Sequence, residues 1–211
     1  MDWVDQLGRE GWATGPSLDE ASLQDLEALL PALRAPRRQP VPLGPLVAWL
    51  EGTSLPSIVQ AVLGSCARPV RALAMAKEGG HNWGIDWHRD TTVLVAEMIE
   101  VPGFYGWMNK AHLYQAQAPR EAMAAMLSTR IHLDPCGPGQ GPLMVDPGSH
   151  LRDNMEADAP RTLTAARGGV LLMRPLLLHA SGPATDPKPR RVLHIEWAAD
   201  DLPGGLRRAW F

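Results

Sequence analysis

The sequence has little that would mark a secreted, membrane or nucleic-acid-binding protein. Its two cysteines, Cys66 and Cys136, are too few for a disulfide framework and are typical of a reducing compartment. No apolar run approaches the length of a membrane span, and the first residues, MDWVDQLGREGW, carry acids where a signal peptide has a basic start. The net charge of −3 excludes the basic excess of a nucleic-acid-binding protein. We therefore predict a cytoplasmic protein that binds neither nucleic acid nor a membrane.

Glycine and proline, in contrast, are unusually frequent. Each occurs 20 times in the 211 residues, and neither forms a repeat, so they indicate frequent turns rather than a low-complexity linker. The hydrophobic content of 45% is ordinary for a folded protein, and the length suits one domain. We find no domain boundary and predict a single domain over residues 1–211.

Helical patterns dominate the first third of the chain. A short helix is predicted over residues 2–9, and the segment LDEASLQDLEALL has leucines at helical spacing. Ser17 and Glu20 fit a capping box at the start of this second helix, and Pro31 is expected to end it. The segments PLVAWLEG and SLPSIVQAVLG predict two more helices. Residues 1–66 are thus expected to be mainly helical support.

Strand patterns dominate from Val70 onwards. The segments VRALAMAKE, WHRDTTVLVAE, TRIHLD, PLMVDP, GGVLLMRP, PLLLHAS and RRVLHIEWA are short and separated by turns, with one predicted helix, PREAMAAMLS, between them. Residues 99–118 lack a clean period and are expected to form a long loop, a candidate lid. Helices followed by strands predict an α+β fold in which residues 68–200 form a β-barrel core.

The stretch DWHRDTT places His88 between Asp86 and Asp90. On an extended strand, residues two apart point to the same side, so these three side chains would form one row. An imidazole and a carboxylate are two-thirds of the facial triad of a non-haem iron site. The alternative is a solvated edge strand whose aspartates face water, and strand geometry alone favours neither reading.

A second histidine and two arginines follow later in the chain. RGGVLLMRPLLLHASGP places His179 at the end of an apolar run, where packed neighbours would hold it as a metal ligand requires. Arg190 and Arg191 open the next strand, and adjacent residues face opposite sides, so one should point into the barrel. A buried arginine needs an anionic partner, and its guanidinium suits a carboxylate. The alternative is that both arginines are exposed beside Asp186 or Lys188.

Four segments together carry a family resemblance. WHRDTT, GPLMVDPGSH, RGGVLLMRPLLLHASGP and PRRVLHIEWA, in this order, resemble the phytanoyl-CoA dioxygenase family of iron(II)/2-oxoglutarate oxygenases, from about Asn82 to Trp197. An HxD motif alone is a weak signal, whereas the ordered set is specific. The resemblance implies a double-stranded β-helix, which is a jelly-roll, cupin-like barrel with N-terminal helices packed on the outside.

The resemblance also implies the metal ligands and the reaction. It selects Asp90 over Asp86, so that His88, Asp90 and His179 are the expected metal-binding and catalytic residues. The implied cofactors are Fe(II), 2-oxoglutarate and O2, with 2-oxoglutarate decarboxylated to succinate while a substrate is oxidised. Because Asp90 is a carboxylate, no ligand position remains for a halide, and hydroxylation is expected rather than halogenation.

The expected 2-oxoglutarate contacts lie around the second histidine. The resemblance implies that Arg190 binds the distal carboxylate, with Arg191 as the alternative, and that the Ser181 hydroxyl is a further contact. Asn82 is a candidate hydrogen-bond donor to substrate or cosubstrate. His150, in the PGSH turn, is expected to be structural.

The primary substrate is expected to be a small polar molecule. Arg130 and His132 share one face of TRIHLD and would suit an acidic substrate group, while Trp83 and Trp87 would wall the pocket. The alternative is that Arg130 and His132 pair with nearby aspartates and that both tryptophans are core residues.

Two other classes of protein remain open. One is a cupin-like protein that binds a metal or small ligand without redox turnover, and it would have no use for a cation inside the barrel. The other is a hydrolase or isomerase holding zinc on His88, Asp90 and His179. The position of the Arg190 side chain, inside or outside the barrel, discriminates the oxygenase from the binder.

Overall fold

The computed structural model describes residues 2–30, 38–77, 82–110, 113–186 and 188–209. Among these residues no single helix is long and apolar enough to cross a membrane, although the helices Leu43–Glu51 and Leu55–Leu63 pass that test as a pair bent by 95°. In the described part of the chain the α-helices are α1 (Asp2–Glu10), α2 (Glu20–Leu29), α3 (Leu43–Glu51), α4 (Leu55–Leu63) and α5 (Arg120–Ala124).

Asp19, not Ser17, caps the second helix. Its side chain accepts a hydrogen bond from the Ser22 amide at 2.8 Å, and α2 therefore begins at Glu20. The capping box predicted at Ser17 is wrong, because Asp19 already offers an acceptor directly before the first turn. Pro31, the predicted end of this helix, lies outside the described residues, and the last helical residue is Leu29.

The strands form three antiparallel sheets within the described residues. The larger sheet has the order β1-β11-β8-β13-β3-β2, the second β10-β9-β12-β4, and the third β5-β7-β6. The strands are β1 (Trp12–Gly15), β2 (Arg38–Pro40), β3 (Arg68–Lys77), β4 (Ile85–His88), β5 (Thr92–Val95), β6 (Tyr105–Lys110), β7 (Leu113–Gln117), β8 (Met126–His132), β9 (Leu143–Val145), β10 (Arg161–Leu163), β11 (Val170–Met173), β12 (His179–Ser181) and β13 (Arg190–Ala198).

The long loop predicted over residues 99–118 is wrong, because most of this segment is a β-hairpin. Strands β6 and β7 pair with each other, and β7 also pairs with β5. The register shifts between Tyr105 and Met108, and Gly106 lies between them with a φ of 63°. Such a bulge adds a residue on one strand and breaks the two-residue period by which a strand is recognised.

The two faces of the larger sheet have opposite character. On β13, Leu193, Ile195 and Trp197 pack in one apolar cluster with residues of α2, α3 and α4. The alternate residues Arg190 and His194 line a cavity on the other face. The helices therefore cover the outer face, and the cavity lies between the larger sheet and the sheet that contains β9 and β12. This is the predicted α+β arrangement with helices outside.

Candidate metal centre and cosubstrate pocket

The two sequence-predicted histidine ligands face each other on neighbouring strands. β12 pairs with β4 so that His179 is the register partner of His88, and the two ring centroids are 4.2 Å apart. Antiparallel pairing therefore brings together two imidazoles that are distant in sequence.

Asp90 reaches the same place from a turn rather than from a strand. β4 ends at His88, and the Asp90 amide donates a hydrogen bond to the Pro175 carbonyl at 2.9 Å. The predicted row of three side chains on one strand is therefore wrong, and Asp86 is exposed. Arg89, between the two ligands, donates to the carbonyls of Leu176 at 2.8 Å and Ser149 at 3.0 Å, which anchors the turn.

Hydrogen bonds to the backbone orient both imidazoles. Nδ1 of His88 lies 2.7 Å from the Asp86 carbonyl, and Nδ1 of His179 lies 2.8 Å from the Leu177 carbonyl. Because a carbonyl only accepts, Nδ1 carries a proton in each ring, and in the neutral form of the ring the lone pair is on Nε2. This outer hydrogen bond is the usual support of a metal-binding histidine.

The three candidate ligand atoms surround one point. Nε2 of His88 is 3.9 Å from one Asp90 oxygen, and Nε2 of His179 is 3.8 Å from the other. These distances are too long for hydrogen bonds, but two metal–ligand bonds of about 2.1 Å would span such gaps. The ligand atoms of His88, Asp90 and His179 all lie within 4.8 Å of one another. Two imidazoles and one carboxylate are a donor set compatible with iron.

The charge states of the donors also suit a metal ion. Burial lowers the pKa of His179 to about 4, with Asp90 acting in the opposite direction. Burial by itself would raise the pKa of Asp90, but the imidazoles of His179, His194 and His88 outweigh it and hold that pKa below its ordinary value. At neutral pH the site therefore offers a neutral imidazole and a carboxylate.

Of the two adjacent arginines, Arg190 is the one inside the barrel. Its side chain is 2% exposed and lines the cavity, and it donates to the Gly141 carbonyl at 2.9 Å. Arg191 lies on the other face of β13 and pairs with Asp134 at 2.6 Å and with Glu27 at 2.9 Å. Among the described residues Arg190 has no carboxylate partner within ion-pair distance.

Lys77 is a cavity residue that the sequence did not single out. It is 1% exposed, is the register partner of Arg190, and donates to the Ser181 hydroxyl at 3.0 Å and to the Gly182 carbonyl at 2.8 Å. Burial, and then the charge of Arg190, lower its pKa to about 8. Like charges opposite each other on paired strands are unfavourable, so this pair of cations needs an anion. The sequence feature that could have identified Lys77 is its position near the end of the predicted strand VRALAMAKE.

The predicted substrate and cosubstrate residues do not all reach the cavity. Arg130, Trp83 and Ser181 line it. The side-chain amide of Asn82 instead binds the backbone of Ala184. Its nitrogen donates to the Ala184 carbonyl at 2.6 Å, and its oxygen accepts from the Ala184 amide at 2.8 Å. His132 and Trp87 are not among the described residues that line the cavity, and His132 is fully buried without a hydrogen-bond partner in that part of the chain.

Two further cavity residues were missed. His194 and Glu196 follow Arg190 at even spacing on β13, and their Nε2 and carboxylate oxygen lie 3.9 Å apart. Glu196 also pairs with Arg71 at 3.3 Å, and burial raises its pKa to about 7. Once Arg190 is placed inside, strand alternation places both of these residues inside as well.

His150 contacts the first helix and lies outside the cavity. Its Nε2 lies 3.1 Å from the Gly8 carbonyl, so the PGSH turn is held against α1. Residues 99–118 do not reach the cavity either, as far as they are described.

A barrel that holds two histidines and one aspartate around an open position has the architecture of a non-haem iron protein. Comparison with known families agrees. The chain belongs to the phytanoyl-CoA dioxygenase (PhyH) family, whose model matches residues 48–192.

Solved structures show the same jelly-roll fold, and the predicted fold class is confirmed. AviO1 from Streptomyces viridochromogenes Tue57 is 21% identical with a TM-score of 0.66, and the match covers 96% of this chain and 94% of that one. The epimerase SnoN, in complex with Fe3+, alpha ketoglutarate and nogalamycin RO, is 14% identical with a TM-score of 0.68, covering 96% and 90%. HygX from Streptomyces hygroscopicus, with nickel and 2-oxoglutarate bound, is 12% identical with a TM-score of 0.65, covering 93% and 86%.

The match to EvdMO1 covers 93% of this chain but 49% of that one, at 20% identity and a TM-score of 0.69. This chain therefore spans about half the length of EvdMO1. No curated protein matches the sequence.

Proposed function

We propose that this chain is a single-domain iron(II)/2-oxoglutarate-dependent oxygenase that hydroxylates a small molecule. The observation that carries the proposal is the contents of one cavity. It contains a candidate metal donor set, His88, Asp90 and His179. It also contains the buried guanidinium of Arg190, which has no carboxylate partner among the described residues.

The proposed roles follow from the positions of these side chains. His88, Asp90 and His179 would hold iron by three ligands and leave the remaining positions open. Iron with 2-oxoglutarate and dioxygen would supply the oxidising chemistry, in which 2-oxoglutarate becomes succinate and carbon dioxide.

Arg190, Lys77 and Ser181 would bind the distal carboxylate of 2-oxoglutarate. The two cations are register partners, and the Lys77 ammonium already donates to the Ser181 hydroxyl at 3.0 Å. A carboxylate between them would relieve their mutual repulsion and would accept hydrogen bonds from both cations. Trp83, whose ring lies 5.3 Å from the Lys77 ammonium, would shield this end of the cavity from water.

The buried position of Arg190 favours the oxygenase over a cupin-like binder. In a protein that only holds a metal, the charge of Arg190, which is 2% exposed and has no carboxylate partner among the described residues, would lower stability without contributing to metal binding. A zinc hydrolase or isomerase likewise leaves Arg190 and Lys77 without an anion to bind.

A small-molecule substrate is supported by the structural relatives. The SnoN and HygX structures include nogalamycin RO and hygromycin B, respectively. SnoN is described as an epimerase. Identification of the product formed from the primary substrate would therefore test whether this chain hydroxylates it.

Production of succinate tests the proposal without knowledge of the primary substrate. The protein is incubated in air with iron(II) and 2-oxoglutarate, and succinate is quantified against His179→Ala and Arg191→Met. We expect slow succinate formation in the wild type and in Arg191→Met, and only background in His179→Ala. If iron binds to the wild type but succinate stays at background, the cupin-like binder is correct.

A further inference from the structure

Two cations of the cavity, Arg38 and Arg130, are left over after Lys77 and Arg190 are assigned to 2-oxoglutarate. We propose that Arg130 forms a separate anion site that binds an acidic group, a carboxylate or a phosphate, of the primary substrate. This inference rests on the proposed function and names the chemical class of the substrate.

Arg130 is buried and has no carboxylate partner among the described residues. It lies on β8, is 5% exposed and lines the cavity. Its Nε is buried and has no hydrogen-bond partner among the described residues, and no carboxylate there lies within ion-pair distance of its guanidinium. Burial, and then the charge of Arg190, lower its pKa to about 9, so that the guanidinium is still charged at neutral pH.

Two half-buried arginines of this protein do have carboxylate partners. Arg71 pairs with Glu196 at 3.3 Å, and Arg191 pairs with Asp134 at 2.6 Å. A buried cation without a counter-ion is destabilising, and Arg130 is therefore best explained by an anion that arrives with a ligand.

The backbone of Arg130 is set apart from the residues that we assign to 2-oxoglutarate. The register partner of Arg130 on β13 is His194, which lies four residues beyond Arg190 on the same strand. Four residues of strand separate these two backbone positions by about 13 Å. Lys77 is the register partner of Arg190 and donates to Ser181, whereas the backbone of Arg130 lies opposite His194.

The charge balance of the cavity gives the same result. Four cations, Arg38, Lys77, Arg130 and Arg190, line the described part of its wall against two carboxylates, Asp90 and Glu196. A divalent metal adds two positive charges, and 2-oxoglutarate adds two negative ones. The excess of positive charge therefore persists in the loaded site and favours an acidic substrate.

The position of Arg130 also suits the chemistry of the site. Arg130 lines the same cavity as His88, Asp90 and His179, so a group bound at Arg130 would share that cavity with the metal donors. Binding of the acidic end of the substrate would thus fix the distance between the remainder of the substrate and the metal.

Anion binding by the loaded protein tests the inference. The protein is saturated with nickel(II), which does not support oxidation of 2-oxoglutarate. It is also saturated with 2-oxoglutarate, which occupies its proposed site at Arg190, Lys77 and Ser181. Phosphate, acetate and uncharged acetamide are then titrated at constant ionic strength, with melting temperature and tryptophan fluorescence as readouts. Arg130→Met is compared with Arg191→Met, which removes a cation outside the cavity. The affinity for 2-oxoglutarate is measured separately for each variant.

We expect phosphate or acetate, but not acetamide, to stabilise the wild type and Arg191→Met. In Arg130→Met the probe affinity should fall about 10- to 100-fold, which is the effect of losing a charge-assisted hydrogen bond, while 2-oxoglutarate binding is unchanged. A stronger response to phosphate indicates a phosphate ester substrate, and a stronger response to acetate indicates a carboxylate. Without ligands, Arg130→Met should melt no lower than the wild type, because it removes an unpaired buried charge.

Equal probe responses in the wild type and Arg130→Met, or no response in the wild type, would overturn the inference. So would a loss of 2-oxoglutarate affinity in Arg130→Met, which would make Arg130 a cosubstrate residue and leave the proposed function intact. Failure of the wild type to bind nickel would instead contradict the proposed function, while an Arg130-dependent response of the metal-free protein would still support the anion site.

Discussion

The two faces of β13 carry opposite kinds of side chain. Towards the helices the strand presents Leu193 and Ile195, which are fully buried in an apolar cluster. Towards the cavity it presents Arg190, His194 and Glu196, which are also nearly inaccessible to solvent. Both faces are buried, but only the first is buried among groups that prefer to leave water.

This difference separates what holds the fold from what performs the function. Apolar burial on the helix side contributes about 25 cal/mol for each Å² removed from water. Cavity cations without a carboxylate partner among the described residues oppose folding, and under the proposed function they are retained because ligands bind to them. Substitutions on the helix face should therefore lower stability, and substitutions on the cavity face should lower binding.

The largest effect is expected from loss of a metal ligand. Removal of outer hydrogen-bond partners of a metal site reduces affinity by about 10- to 100-fold, and a direct ligand contributes more. His179→Ala should therefore reduce iron affinity at least about a hundredfold, while the melting temperature of the metal-free protein changes little. Metal content after dialysis measures this effect. Retention of iron by a folded His179→Ala protein would exclude this histidine as a ligand.

A large effect on stability alone is expected on the helix face. Leu46 of α3 is fully buried in the apolar cluster, and Leu46→Ala should lower the free energy of unfolding by about 2–5 kcal/mol. Urea denaturation measures this change. The folded fraction of the variant should bind 2-oxoglutarate as the wild type does, and a parallel loss of affinity would show that the two faces are not independent.

The adjacent arginines provide a matched pair across the strand. Arg190→Met should weaken 2-oxoglutarate binding about 10- to 100-fold and leave stability unchanged or raised, because a buried cation is removed. Arg191→Met should leave binding unchanged and lower stability, since Asp134 and Glu27 lose their partner. Calorimetric titration of the nickel-loaded protein and thermal melting measure the two effects. If Arg191→Met weakens 2-oxoglutarate binding and Arg190→Met instead lowers stability, Arg191 is the arginine that binds the cosubstrate.

The smallest expected effect is a dependence on pH through Lys77. Its folded-state pKa is lowered to about 8 from 10.5, so between these values the unfolded chain binds more protons, and the contribution of Lys77 to stability rises with pH. The charged ammonium binds an anion, so 2-oxoglutarate affinity should fall about tenfold from pH 7 to pH 9. Lys77→Met should abolish both trends. A wild-type affinity that stays constant over this range would show that Lys77 does not contact the cosubstrate.

Motifs in the sequence, together with the family resemblance, identified several of the residues that the structure brings into one cavity. The histidine and aspartate of WHRDTT, the strand-end His179 and the arginine pair could all be singled out, and adjacency alone predicts that only one of the two arginines points inwards. The position of Asp90 in a turn did not follow, because alternation along a strand cannot indicate where that strand ends.

Strand pairing explains most of what the sequence did not predict. Lys77 becomes a partner of Arg190 only through the register of β3 with β13, and two strands so distant in sequence leave no local signal of their pairing. The hairpin of β6 and β7 was hidden by the register shift at Gly106. Asn82 was assigned to the cavity by its position near the motif, whereas the structure uses its amide to fix Ala184.

In the proposed site, His88, Asp90 and His179 hold one metal ion, and 2-oxoglutarate binds between this ion and Arg190. The most direct test of this arrangement is a visible absorption titration of the metal-free protein, without oxygen, first with iron(II) and then with 2-oxoglutarate. We expect a metal-to-ligand charge-transfer band that requires both additions, saturates at one iron per chain and is lost in His179→Ala. A correctly folded wild-type protein that shows no such band at saturating concentrations would contradict the account.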